Sequence, residues 1–117
     1  MGRLQGAEEE LAMALTREFK ETVRARAERD PAYRDALLIE AVGQLLSGDV
    51  ATGKAVLRDY INATVGFAEL AKATGTPTKS LMRMLSDRGN PRANNLFGVI
   101  VKLQRASGVH LEVAAGR

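Results

Sequence analysis

The chain has 117 residues, 45% apolar and 26% charged, with a formal net charge of +3, values that suit one small globular domain or such a domain with a helical segment appended. It contains no cysteine and a single histidine, His110, which excludes disulfides, thiolate catalysis and zinc held by cysteines. No apolar run approaches the roughly 20 residues of a membrane span and no signal-peptide core follows Met1, so the expected location is cytoplasmic.

Residues 1–6 show no periodicity and read as a loose end. A first helix is expected over residues 7–28, where Leu11, Leu15, Phe19 and Val23 recur every fourth position and form a narrow apolar stripe. Glu8, Glu9 and Glu10 open it, and Arg24, Arg26 and Arg29 close it, the order that the helix dipole favours. Asp30-Pro31 supplies an N-cap and a first-turn proline for a second helix running to about Ser47. Its inward face is Tyr33, Leu37, Leu38, Ala41, Val42, Leu45 and Leu46, and Gly48 is its stop. Asp49 then caps a third helix, residues 50–63, which turns Val50, Leu57, Tyr60 and Ile61 inward.

The stretch 67–85 reads as two short helices joined by a glycine turn. Phe67, Leu70 and Ala71 give one buried face, and Leu81, Met84 and Leu85 give the next at the same helical spacing. Gly75 stands where the chain turns sharply, in a conformation cheap only for glycine. Pro77 fits the first turn of the following helix. A polar loop, residues 86–92, leads to a last helix over 94–106 with Leu96, Phe97, Ile100, Val101 and Leu103 facing the core and Gly108 ending it. Val109-His110-Leu111-Glu112-Val113 alternates apolar and polar residues, the pattern of a short strand. Such a strand needs a partner, supplied by a symmetry mate or from within the chain.

This unit resembles the helix-turn-helix of lambda-type phage repressors and of the bacterial regulators built on that domain. With Phe67 as its first position, Ala71, Gly75, Leu81 and Met84 occupy the four hallmark sites. The resemblance implies an all-α fold: a lambda-repressor-like domain over 49–117 with two extra N-terminal helices over 1–48 and a short C-terminal strand. It also implies that the second helix of the motif reads bases in the major groove. The positions concerned are Thr78, Lys79, Ser80 and Arg83, whose donors suit base edges or phosphate. The following loop and helix start offer Arg88, Asn90, Arg92, Asn94 and Asn95 as phosphate contacts.

Charge is divided unevenly between the halves. Residues 1–66 carry 9 Lys/Arg against 11 Asp/Glu, a net of −2, whereas residues 67–117 carry 8 against 3, a net of +5. The basic half is therefore the half holding the motif, as docking on phosphates requires.

Over residues 45–113 the chain also resembles a narrower group, the HigA-like antidote (antitoxin) proteins of bacterial addiction modules. The resemblance is carried by Leu57-Arg58-Asp59-Tyr60-Ile61-Asn62-Ala63-Thr64, by Ser80-Leu81-Met82-Arg83-Met84-Leu85, and by Gly89-Asn90-Pro91 leading into Asn95-Leu96. It implies a homodimer on operator DNA, autorepression, and a toxin protein as partner. Independently of the resemblance, the acidic-leaning first two expected helices, residues 7–28 and 31–47, are taken as the surface for toxin contact or dimer packing. The alternative is a protein-interaction module that keeps the fold without binding DNA. Gly48-Asp49-Val50-Ala51-Thr52-Gly53-Lys54-Ala55 nearly spells a phosphate-binding loop, but Ala55 replaces the Mg²⁺-holding hydroxyl and no strand precedes it. No nucleophile–base pair or metal set is evident, so neither catalysis nor a cofactor is expected. RNA binding is disfavoured by the lack of stacking aromatics in the basic half.

Overall fold

The computed structural model describes residues 23–116. The expectations for the loose end, for Glu8–Glu10 and for Leu11, Leu15 and Phe19 lie outside the described residues. Within them the chain forms helices only: residues 23–29 (α1), Pro31–Leu46 (α2), Val50–Ala63 (α3), Phe67–Thr74 (α4), Thr78–Met84 (α5) and Ala93–Ser107 (α6).

Local chemistry sets most helix ends. Asp30 accepts from the Tyr33 amide at 3.2 Å, and Pro31 occupies the first turn of α2. Asp49 does the same for α3, accepting from the Thr52 amide at 3.1 Å. Hydrogen bonding from the Thr52 hydroxyl, and then from its amide, holds the Asp49 carboxyl below its ordinary pKa of 3.8. The turns after α2, α4 and α6 each pass through a glycine of positive φ, namely Gly48, Gly75 and Gly108. Gly75 matters most, because the angle between α4 and α5 is set there. Its φ of 68° lets its amide, and that of Thr76 at 3.2 Å, return to the Ala71 carbonyl. Pro77 sits one position earlier than its composition suggests, as the N-cap of α5 rather than inside it.

One core joins α2 through α6. Leu38 and Ala41 of α2 meet Leu57, Tyr60 and Ile61 of α3, then Leu70, Leu81, Leu85, Val99 and Leu103 from the later helices. Burial of this kind stabilises by about 1.5–3 kcal/mol per large aliphatic side chain, and α4 and α5 depend on it. At 8 and 7 residues they are far below the roughly 12–15 at which an isolated helix becomes even marginal in water.

The structure corrects four core assignments and one element. Phe97 and Val101 are 56% and 41% exposed. The buried stripe of α6 is Val99, Ile100 and Leu103 with Leu96 half-buried, and positions 97 and 101 fall about 100° round the helix from it. Leu46 and Val50 are also exposed, since they flank the turn at 47–49 rather than the α2–α3 contact. Val109–Val113 is not a strand, and among the described residues no strand exists. With no free edge to pair with, the segment instead folds back. The Leu111 amide donates to Gln104 Oε1 at 2.8 Å and its side chain packs against the core.

Two outcomes follow for stability. Gly75→Ala forces a left-handed conformation on a residue with a Cβ and should lower unfolding free energy by about 1–2 kcal/mol, whereas Gly43→Ala, mid-helix with open space around it, should raise it by roughly 0.5–1 kcal/mol; urea denaturation reads both. Asp49 is bound more strongly as carboxylate in the folded state, so its contribution is present above pH 3.8 and is lost as pH falls through its lower folded value. The stability gap between wild type and Asp49→Ala should therefore close in acid denaturation series.

Candidate nucleic-acid interface

The outer side of α5 is built by exclusion. Leu81 and Leu85 are buried and Met84 half-buried, which leaves Lys79, Ser80, Met82 and Arg83 exposed and Thr78 half-buried at the helix start. The candidate phosphate residues Arg88, Asn90, Arg92, Asn94 and Asn95 are all exposed as well. Ser80, Asn94 and Asn95 line one groove between the α4–α5 turn and α6, together with Thr76 and Lys102. Thr78, Lys79, Arg83, Arg88, Asn90 and Arg92 lie outside it.

The loop after α5 is held from beneath by α3. Lys54, only 4% exposed, extends its ammonium to three carbonyls: Ser86 at 2.9 Å, Gly89 at 2.6 Å and Asp87 at 3.4 Å. One helical turn on, Arg58 donates to the Leu85 carbonyl and reaches the Asp87 carboxylate at 3.5 Å. Two cations thus meet carbonyls at the end of α5, where the helix dipole is negative. Gly89 closes the arrangement. A Cβ there would lie 2.5 Å from the Met84 carbonyl oxygen and still closer to that of Arg83, so only glycine lets the loop pass. The near phosphate-binding loop at 48–55 is accounted for differently: Gly53 and Lys54 are helical, and the lysine is already occupied by backbone carbonyls.

Pairing sharpens the charge asymmetry. Of the three acidic residues between positions 67 and 117, Glu69 is paired with Lys72 at 3.3 Å and Asp87 with Arg58. Among the described residues Lys79, Arg83, Arg88 and Arg92 form no ion pair, and their charge remains available to an incoming anion.

Sequence reasoning named Lys54 only within the near phosphate-binding loop and Arg58 and Met82 only within the stretches that carry the antitoxin resemblance, and it gave none of these, nor Thr76 or Lys102, a place in the interface. For Lys54 a signal exists: it falls on the same helical face as Leu57 and Ile61, where an ammonium must be buried and satisfied. Met82 offers an exposed apolar side chain of the kind that can meet a thymine methyl.

A larger hollow of about 660 Å³ lies at the C-terminal ends of α3 and α6, lined by Arg34, Asp35, Tyr60 and Ser107 among others. Burial lifts the Tyr60 phenol above its ordinary 10.0, so it stays protonated and is not a base at neutral pH. Among the described residues no group of three or more His, Asp or Glu is placed to hold a metal ion, and no helix is long and apolar enough to cross a membrane. No family model, curated protein or solved structure matches the chain.

Lys54→Met should leave three loop carbonyls without their donor and lower stability by about 1–3 kcal/mol. Amide hydrogen exchange at residues 86–90 should accelerate more than exchange in α2, which distinguishes loss of the anchor from general unfolding.

Proposed function

We propose that the protein is a sequence-specific DNA-binding transcriptional regulator with a lambda-repressor-like helix-turn-helix, and that it serves as antitoxin and autorepressor of a two-gene toxin–antitoxin module. The observation that carries the reading is the outer side of α5: Lys79, Ser80 and Arg83 exposed, with both cations free of ion pairs among the described residues, on a helix whose inner side is sealed by Leu81 and Leu85. Such a helix can enter a major groove without disturbing the core.

In this reading α4 braces the motif and Gly75 sets its angle. Lys79 and Arg83 donate to guanine O6 and N7, Thr78 and Ser80 contact base or phosphate, and Arg88, Asn90, Arg92, Asn94 and Asn95 grip the flanking backbone. Two copies read half-sites about one helical turn apart. The division of the chain into a helical segment over 1–48 and a DNA-binding domain over 49–117 belongs to the same proposal, as does toxin contact or dimer packing on that acidic-leaning N-terminal segment. The protein acts by binding, without catalysis or cofactor, in the cytoplasm.

A second reading, a protein-interaction module with the same fold, is favoured by the exposed Phe97 and Val101. Band shifts on the DNA immediately upstream of its own coding region separate the two. Binding there should weaken steeply with salt. Arg83→Ala should cost about 1–3 kcal/mol on that duplex and much less on random duplex by fluorescence anisotropy. Equal losses on both would remove base readout by Arg83, and the absence of any shift would leave the interaction module.

A further inference from the structure

The groove between the α4–α5 turn and α6, about 330 Å³, has a composition that the base-reading residues alone do not require. Its floor is apolar, formed by Leu81, Met84 and Val99, while its rim carries hydroxyls, amides and one ammonium. No carboxylate lines it. Lys102 of α6 is half-buried in this wall and has no hydrogen-bond or ion-pair partner among the described residues. Among the described residues it stands apart from the other cations of the basic half. Lys72 is exposed and paired with Glu69, and Lys79, Arg83, Arg88 and Arg92 are all exposed. A lysine stem buries readily while its ammonium keeps its water, so Lys102 presents a free positive charge at a groove that no carboxylate lines.

We propose that Lys102, with Thr76, Ser80 and Asn94, cradles one backbone phosphate of bound duplex DNA, the adjoining deoxyribose lying on the apolar floor; the proposal rests on the DNA-binding reading above. Two observations favour the sugar–phosphate backbone as occupant. Apart from Thr74, whose hydroxyl already donates to the Leu70 carbonyl at 2.9 Å, the charged and polar side chains of the rim can donate, which suits an anion of high charge density. The groove is also continuous with the outer side of α5 through Ser80, so a duplex engaged by Lys79 and Arg83 brings a strand past its mouth. Lys102, 18 positions beyond Met84, then adds a sequence-independent contact from α6, outside the motif proper. It positions the duplex and does not select its sequence.

Fluorescence anisotropy on the full chain tests this with two duplexes of about 30 bp, long enough for half-sites one turn apart: the DNA upstream of its own coding region and a random sequence. Lys102→Met should weaken both by the same factor, about fivefold at 0.15 M salt, and reduce the magnitude of the salt slope by about 0.9, the signature of one lost phosphate contact. Lys102→Arg should restore most of the affinity and the slope. Should Lys102→Met prove unfolded by circular dichroism, Thr76→Val supplies the second probe: it keeps the charge and should weaken both duplexes with the slope unchanged. A folded Lys102→Met whose affinity and slope equal those of wild type overturns the cradle, and so does a Thr76→Val without effect. If Arg83→Ala still loses preference for the upstream duplex in that case, the DNA-binding reading survives the loss. Wild type binding neither duplex overturns both.

Discussion

The buried Lys54 ammonium is the interaction on which the arrangement of the candidate interface depends. Removing a charge from water is costly, and a lysine inside a core is retained only where donors and acceptors match. Here three carbonyls from one short loop converge on it, and Arg58 adds a second cation at the end of α5. The result is a tie between α3, which buries Leu57, Tyr60 and Ile61 in the core, and the segment that follows the candidate reading helix. Because the tie uses backbone carbonyls, it orients the loop without consuming the outward side chains Arg88, Asn90 and Arg92. Gly89 is the steric counterpart of the same contact, since the loop approaches the end of α5 too closely for any side chain.

That anchor separates two kinds of cation. Lys54 and Arg58 face inward and complete the fold; Lys79, Arg83, Arg88 and Arg92 face outward and complete nothing within the described residues. The short helices α4 and α5 gain their stability from tertiary burial rather than from their own propensity, which frees their outer positions from any structural duty. An outer side with exposed donors, over an inner side of leucines, is what groove insertion requires. It is also what makes substitutions on that side informative, because they should alter binding far more than folding.

The exposed apolar residues complicate the surface in a physically consistent way. Phe97 and Val101 lie beside, not on, the buried stripe of α6, and Met82 lies on the outer side of α5. Apolar groups in such positions suit contact with a partner of either chemistry: a thymine methyl or deoxyribose for Met82, a protein surface for Phe97. The proposed DNA regulator and its alternative thus differ in which of these surfaces is occupied, not in the fold beneath them.

Much of the fold was legible from local chemistry. Asp30-Pro31, Asp49, Gly48, Gly75 and Gly108 declare helix ends because caps and left-handed turns depend on the residue itself, with little help from distant neighbours. The paired apolar faces of α4 and α5 follow from a 3.6-residue period for the same reason. What the sequence could not decide were matters of direction and partnership. An apolar residue one position off a helix stripe, such as Phe97, reads like core until the packing fixes the rotation of α6. An alternating segment such as 109–113 reads like a strand until the tertiary structure provides no edge to pair with and Gln104 captures its backbone instead. Lys54 reads like a surface lysine, or part of a phosphate loop, until α5 and its loop close over it. Residue types determined where helices begin and end; only the folded chain decided which charges were spent inside and which were left for a partner, because burial and counter-charge are properties of neighbours brought together from distant positions.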